Sequence, residues 1–157
     1  MGAITVRAAV RSDLVALRQI FDSWHRGLVS LHGSPDGWLV AEVDGAVVGG
    51  LLAREFCAWD SGVAGFGHLT DADLVPFVAL LCVDESLRGR GIGTCLVTHW
   101  IDSSPSWAHV VMPDQSGDDA AEADRVRFFE RLGFAWMETE HPEIEPWLMM
   151  RKSSSSR

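Results

Sequence analysis

The run Val83-Asp84-Glu85-Ser86-Leu87-Arg88-Gly89-Arg90-Gly91-Ile92-Gly93-Thr94 constrains this chain more than any other. The apolar stretch Val78 to Val83 leads into it, and the amphipathic stretch Ile92 to Ile101 leads out. Apolar continuity, then glycines, then helical periodicity reads as strand, turn, helix. In that order the turn gathers backbone N–H groups and the positive end of a helix at one point, which suits a phosphate or pyrophosphate. The competing reading is a tight turn without a ligand, because glycine also serves wherever the backbone bends sharply.

The flanking sequence supplies the remaining elements. Ile4 to Ala9 reads as a first strand, and Ser12 as the N-cap of a helix with Leu14, Leu17, Phe21 and Trp24 on one face. Trp38 to Val43 and Ala46 to Glu55 flank Asp44-Gly45, a strong hairpin signal. Phe56 to Asp73 is glycine-rich and irregular, and a loop of that length is often functional. Leu74 to Val83 is apolar throughout and is expected to be buried on both faces. Ile92 to Asp102 is a helix burying Ile92, Leu96, Val97, Trp100 and Ile101, followed by a strand from Trp107 to Met112. Ala120 to Leu132 is a helix with Val126, Phe129 and Leu132 inward and Gly133 closing it. Ala135 to Glu140 and Trp147 to Arg151 are the last strands. This order defines an α/β fold, a twisted mixed sheet of about seven strands with helices on both faces. One domain is expected over residues 1–152, with a disordered serine-rich tail at 153–157.

Charge and cysteine content narrow the setting. The formal net charge of -9 disfavours nucleic acid and anionic membranes as partners. Cys57, Cys82 and Cys95 are odd in number and widely spaced, so neither a disulfide framework nor a zinc knuckle follows, and no metal site is expected. No leader pattern and no membrane-spanning apolar run is present in this sequence. A reducing cytoplasm is the expected compartment.

The turn can be matched against known phosphate loops. A Walker A loop requires a lysine that is missing here. A Rossmann fingerprint counted from Gly89 puts its third glycine at Thr94, and the element order is wrong for it. Arg88, Gly91 and Gly93 instead satisfy Arg/Gln-x-x-Gly-x-Gly/Ala. With Leu80-Leu81-Cys82-Val83 before it, the stretch resembles motif A of the GNAT superfamily of N-acetyltransferases, apart from Glu85 where proline is frequent. Phe128-Phe129-Glu130-Arg131-Leu132-Gly133-Phe134 resembles that family's Phe-Tyr-x-Lys-x-Gly-Phe.

The resemblance implies a splayed central strand pair and acyl transfer from acetyl-coenzyme A directly to an amine of a small molecule or peptide. It implies that Leu81-Cys82-Val83 meets the pantetheine arm through Leu81 and Val83. Between them Cys82 reads as a small buried hydrophobe rather than a nucleophile. Arg88, Gly89, Arg90, Gly91, Ile92, Gly93 and Thr94 are assigned to the pyrophosphate. Valine at Gly91 is expected to block the cofactor by steric clash and leave the fold intact. Phe129 takes the position of the family's tyrosine acid, and the chain has no tyrosine. Glu122 and Arg125 stand where asparagine and alanine are frequent. For the general base Glu55 is the first candidate and His68 the second, with Asp71 and Asp73 behind them. Glu138, Glu140, Glu143 and Glu145 suit a cationic acceptor, though an acidic edge is also common. Trp24, Trp38, Trp59, Trp136 and Trp147 are an aromatic wall or core. His25 and His32 are too isolated to be ligands. The oligomeric expectation is a monomer or homodimer. The alternative function is a module that binds acyl-coenzyme A with little turnover.

Overall fold

Asp44 and Gly45 take φ values of 52° and 79°, the doubly positive turn whose twist matches that of paired strands. They join β2 (Trp38–Val43) to β3 (Ala46–Cys57), as expected. The computed structural model describes residues 2–22, 33–57, 74–106, 108–111, 119–136 and 149–152. These fall into two compact units, Met1–Ala53 with Ala79–Ser104, and Arg54–Val78 with Pro105–Arg157.

In the first unit the strand order is β1 (Ile4–Ala8), β2, β3 and the second half of β4 (Leu74–Val83). β1 and β2 pair antiparallel, with Ile4 opposite Val43 and Ala8 opposite Leu39. β2 and β3 are also antiparallel, and their register shifts between Ala41 and Glu42. Two helices cover opposite faces. Helix α1 (Leu14–Asp22) buries Leu17, Ile20 and Phe21 against Trp38, Val40, Leu52 and Cys82. Phe21 meets Trp38 edge to face, with centroids 5.4 Å apart. Helix α2 (Ile92–Ser103) buries Ile92, Leu96, Val97, Trp100 and Ile101, the face read from its periodicity.

The adjacent glycines Gly49 and Gly50 permit this double coverage. Successive strand residues point to opposite faces. A Cβ on Gly50 would lie 2.3 Å from Leu17 of α1, and one on Gly49 would lie 3.3 Å from Ile92 and 3.4 Å from Leu96 of α2. Each missing side chain lets a helix approach the sheet.

The start of α1 differs from expectation. Ser12 does not cap the helix; it lies exposed within a 3-10 turn, Arg11–Asp13. Val10 holds the N-cap position, and Asp13, the third residue of the turn, reaches back to it. Its carboxylate accepts from the Val10 N–H at 2.7 Å, and its own N–H donates to the Val10 carbonyl at 2.9 Å. Arg7 on β1 holds that carboxylate through two hydrogen bonds of 2.7 and 3.0 Å and also binds Glu42 on β2. The buried Asp13 carboxylate thus ties the start of the turn to β1 by charge-assisted hydrogen bonds.

In the second unit the order is the first half of β4, then β5 (Ala108–Val111), β7 (Met149–Lys152) and β6 (Ala135–Trp136). β4 and β5 are parallel, pairing Phe77 with Val110 and Val78 with Val111. β7 is antiparallel to both β5 and β6. The seven described strands thus mix parallel and antiparallel pairing, as an α/β fold of this class requires. β4 is less buried than its apolar character suggests: Leu74 is exposed, and Ala79, Leu80, Leu81 and Val83 are half-buried.

Helix α3 (Asp119–Arg131) ends as its glycine implies. Gly133, at φ 88°, donates to the Glu130 carbonyl, and Phe134 donates to the Phe129 carbonyl at 3.1 Å. Those bonds form a Schellman motif, closed by the edge-to-face Phe129 and Phe134 rings 5.3 Å apart. Val126 and Leu132 are half-buried, and Phe129 is the buried member of the expected inward set.

Candidate functional site

β4 ends at a turn tied to β3. The Asp84 N–H donates to the Val48 carbonyl at 2.8 Å. The Asp84 carboxylate then accepts from the Ser86 N–H at 3.0 Å and the Ser86 hydroxyl at 2.6 Å, turning the chain into the 3-10 segment Glu85–Leu87. Those Ser86 hydrogen bonds, helped by the nearby Arg88 charge, hold the Asp84 carboxyl below its usual range. Asp84 therefore shapes the turn as an anion.

Gly89 and Gly91 follow with φ values of 74° and 83°. An L side chain strains the backbone there. A Cβ on either residue would meet nothing within 4 Å, so both open onto free space. Gly91 is also the N-cap of α2, and no side chain caps it. The first intrahelical bond runs from the Cys95 N–H to the Gly91 carbonyl at 2.9 Å. The N–H groups of Ile92, Gly93 and Thr94 precede it and carry the positive end of the helix dipole. Buried Ile92, 1% exposed, anchors that end, while Arg88, Arg90 and Thr94 are exposed around it. A cradle of left-handed glycines at an uncapped helix start fits a pyrophosphate.

Before the turn, Cys82 is buried in the α1-facing core, and burial pushes its thiol up to about 12. It is a protonated hydrophobe at neutral pH, so its chemistry is that of packing. Leu81 and Val83 point to the other side of the strand and are half-buried.

The other expected site residues are placed differently. Phe129 is 2% exposed, wedged against Phe128 and Phe134, with the Arg125 guanidinium 5.6 Å from its ring centroid. Arg125 is held in turn by Glu122 at 2.9 and 3.0 Å. Glu55 is an exposed residue of β3. His68, Asp71, Asp73, His25, His32, Trp24, Trp59, Trp147 and the four glutamates of the last connection lie outside the described residues. Trp38 is core and Trp136 is exposed. Thus Leu81 to Thr94 stand together in the first unit, whereas Phe129 and Glu55 belong to the second. Among the described residues, no His, Cys, Asp and Glu cluster could hold a metal ion, and no helix is long and apolar enough to cross a membrane.

Sequence reasoning missed Val48, Gly49 and the shaping role of Asp84. The available signal was Gly49-Gly50 inside a strand, a mark of close backbone approach.

A strand, glycine cradle and helix of this kind, on a mixed sheet, define a domain suited to a phosphate- or pyrophosphate-bearing ligand. Residues 34–135 match the family model described as the acetyltransferase (GNAT) domain, and the chain belongs to that family. It is 30% identical over 117 residues to an uncharacterized N-acetyltransferase of Methanocaldococcus jannaschii, an alignment covering 74% of this chain and 45% of the relative. The chain thus spans less than half of that relative's length. Among solved structures it is similar to Arabidopsis thaliana NAA60 in complex with acetyl-CoA, with a TM-score of 0.72 and 18% identity over 96% of this chain and 100% of the other. It is also similar to Arabidopsis thaliana Naa50 in complex with a bisubstrate analogue, CoA-Ac-MVNAL, with a TM-score of 0.64 and 15% identity over 96% and 99% of the two chains.

Proposed function

We propose that this protein is an N-acetyltransferase that passes an acetyl group from acetyl-coenzyme A directly to a primary amine of a small molecule or peptide. The observation that carries this reading is the turn. Gly89 and Gly91, open where a Cβ would stand, lie at the uncapped start of α2. When bound, the cofactor supplies an activated thioester. The N–H groups of Ile92, Gly93 and Thr94 hold its pyrophosphate, and Arg88 and Arg90 add positive charge. Family resemblance assigns Leu81 and Val83 the backbone contacts to the pantetheine arm, leaving Cys82 as the core residue between them. The acceptor must arrive as a neutral amine, and Glu55 and His68 are the candidates to take its proton. Phe129 has no hydroxyl and cannot donate a proton to the leaving thiolate, so water or another side chain would supply it or the thiolate would leave unassisted.

Release of coenzyme A from acetyl-coenzyme A should accelerate when an amine acceptor is added. Lack of turnover across a broad panel of amines and peptide N-termini would count against the enzyme reading. One feature favours a second reading, cofactor binding with little turnover: the buried phenyl ring of Phe129 where the family has a phenol. Phe129→Tyr separates the two. Its hydroxyl enters a tight aromatic cluster and is expected to lower stability by about 1–3 kcal/mol unless it finds a partner. A large gain in turnover despite that loss supports the binding module. A wild type that turns over well and gains nothing from the substitution eliminates it.

A further inference from the structure

We infer that Gly49 is a positioning residue for the anion-binding turn, acting through the strand that enters it and the helix that leaves it. The inference rests on the coenzyme A reading of that turn. Gly49 pairs with Ala41, and the register then skips to Glu42 opposite Val47. Val48 is therefore the extra residue of a bulge, and bulges re-aim backbone groups. The Val48 carbonyl receives the Asp84 N–H at 2.8 Å, so the bulge fixes the first residue of the turn to β3.

The other side of the contact comes from Gly49 itself. A Cβ built there would stand 2.9 Å from the Cys82 carbonyl oxygen, 3.3 Å from Ile92 Cγ2 and 3.4 Å from Leu96 Cδ1. Cys82 is on the strand entering the turn; Ile92 and Leu96 are on the helix leaving it. The Cys82 oxygen is backbone, so the 2.9 Å contact forces a shift of the strand or of residue 49, while buried Ile92 must give by a few tenths of an ångström and Leu96 closes the space behind it. A methyl group at position 49 thus wedges between both supports of the turn, although the residue itself touches no anion. The N–H groups of Ile92, Gly93 and Thr94 move with the helix start, and displaced donors lose most of their worth at a preorganised site.

Gly50 supplies the control. A Cβ there also intrudes, 2.3 Å from Leu17 and 3.3 Å from Trp38, but on the α1 face. Both Gly49→Ala and Gly50→Ala should lower the melting temperature. Calorimetry with coenzyme A and with pantetheine, which lacks the pyrophosphate, tells them apart. Gly49→Ala is expected to weaken coenzyme A binding about tenfold or more, to weaken pantetheine binding by clearly less, and to accelerate amide hydrogen exchange at Asp84 and Cys95. Gly50→Ala is expected to retain wild-type affinity for both. If Gly49→Ala does not fold, Gly49→Ala with Leu96→Val frees space on the helix side while keeping the contact at the Cys82 carbonyl, and a coenzyme A affinity loss beyond that of Leu96→Val alone is expected. Wild-type coenzyme A affinity in Gly49→Ala, or equal losses in the two alanine variants, overturns the inference alone. A wild type that binds coenzyme A no better than pantetheine overturns the reading of the turn and the inference with it.

Discussion

Gly91→Val is expected to lose coenzyme A affinity by roughly a hundredfold or more, a change of at least ~2.7 kcal/mol, while the protein remains folded. The physical account differs from simple crowding within the protein. A Cβ at Gly91 meets no protein atom within 4 Å, so valine fills the space offered to the ligand. The folding cost comes from the backbone, because a φ of 83° disfavours any L residue by ~1–2 kcal/mol. Gly45 isolates that term. It has a φ of 79° and equally open surroundings at the β2–β3 hairpin. Gly45→Ala and Gly91→Ala should therefore lower the melting temperature to a similar degree, and only the second should weaken coenzyme A in calorimetry. Unchanged affinity in Gly91→Val would remove the turn from cofactor binding.

Asp13→Ala is expected to destabilise the fold by about 2–3 kcal/mol, measured by denaturant unfolding. Asp13 is 7% exposed and joins the start of α1 to β1 through Val10 and Arg7. Removing it leaves Arg7 to Glu42 and the Ala8 carbonyl, and the Val10 N–H without its acceptor. The Arg7 hydrogen bonds hold the Asp13 carboxyl below its usual value, and the Val10 N–H adds to the effect. A depressed folded-state value means the stabilisation is complete above the unfolded carboxyl's range, ~3.9, and is lost as pH falls through the folded value. Wild type should therefore lose stability progressively below about pH 4, and Asp13→Asn should flatten that dependence. A wild-type acid limb that survives intact in Asp13→Asn would place its origin in other carboxylates.

The features legible in the sequence are those whose cause is local. Asp44-Gly45 specifies its hairpin because that turn needs positive φ at both residues. Gly133 specifies the end of α3 because a Schellman closure needs a left-handed residue. The buried face of α2 follows from a period that any helix obeys. Ser12 was misread as the cap of α1 because serine is a common N-cap; Val10 stands there instead, and Asp13 reaches back to it while held by Arg7 from β1.

By itself, then, the sequence determined the order of elements, the glycine turn and the family, since motif spacing and backbone conformational limits act within a few residues. The tertiary structure decided what supports the turn. The Val48 carbonyl reaches Asp84, Gly49 admits the Cys82 carbonyl and Ile92, and Cys82 becomes an inert core thiol. Those contacts join residues more than thirty positions apart. Close packing between distant segments, and the removal of water that raises the Cys82 thiol, exist only once the sheet has formed.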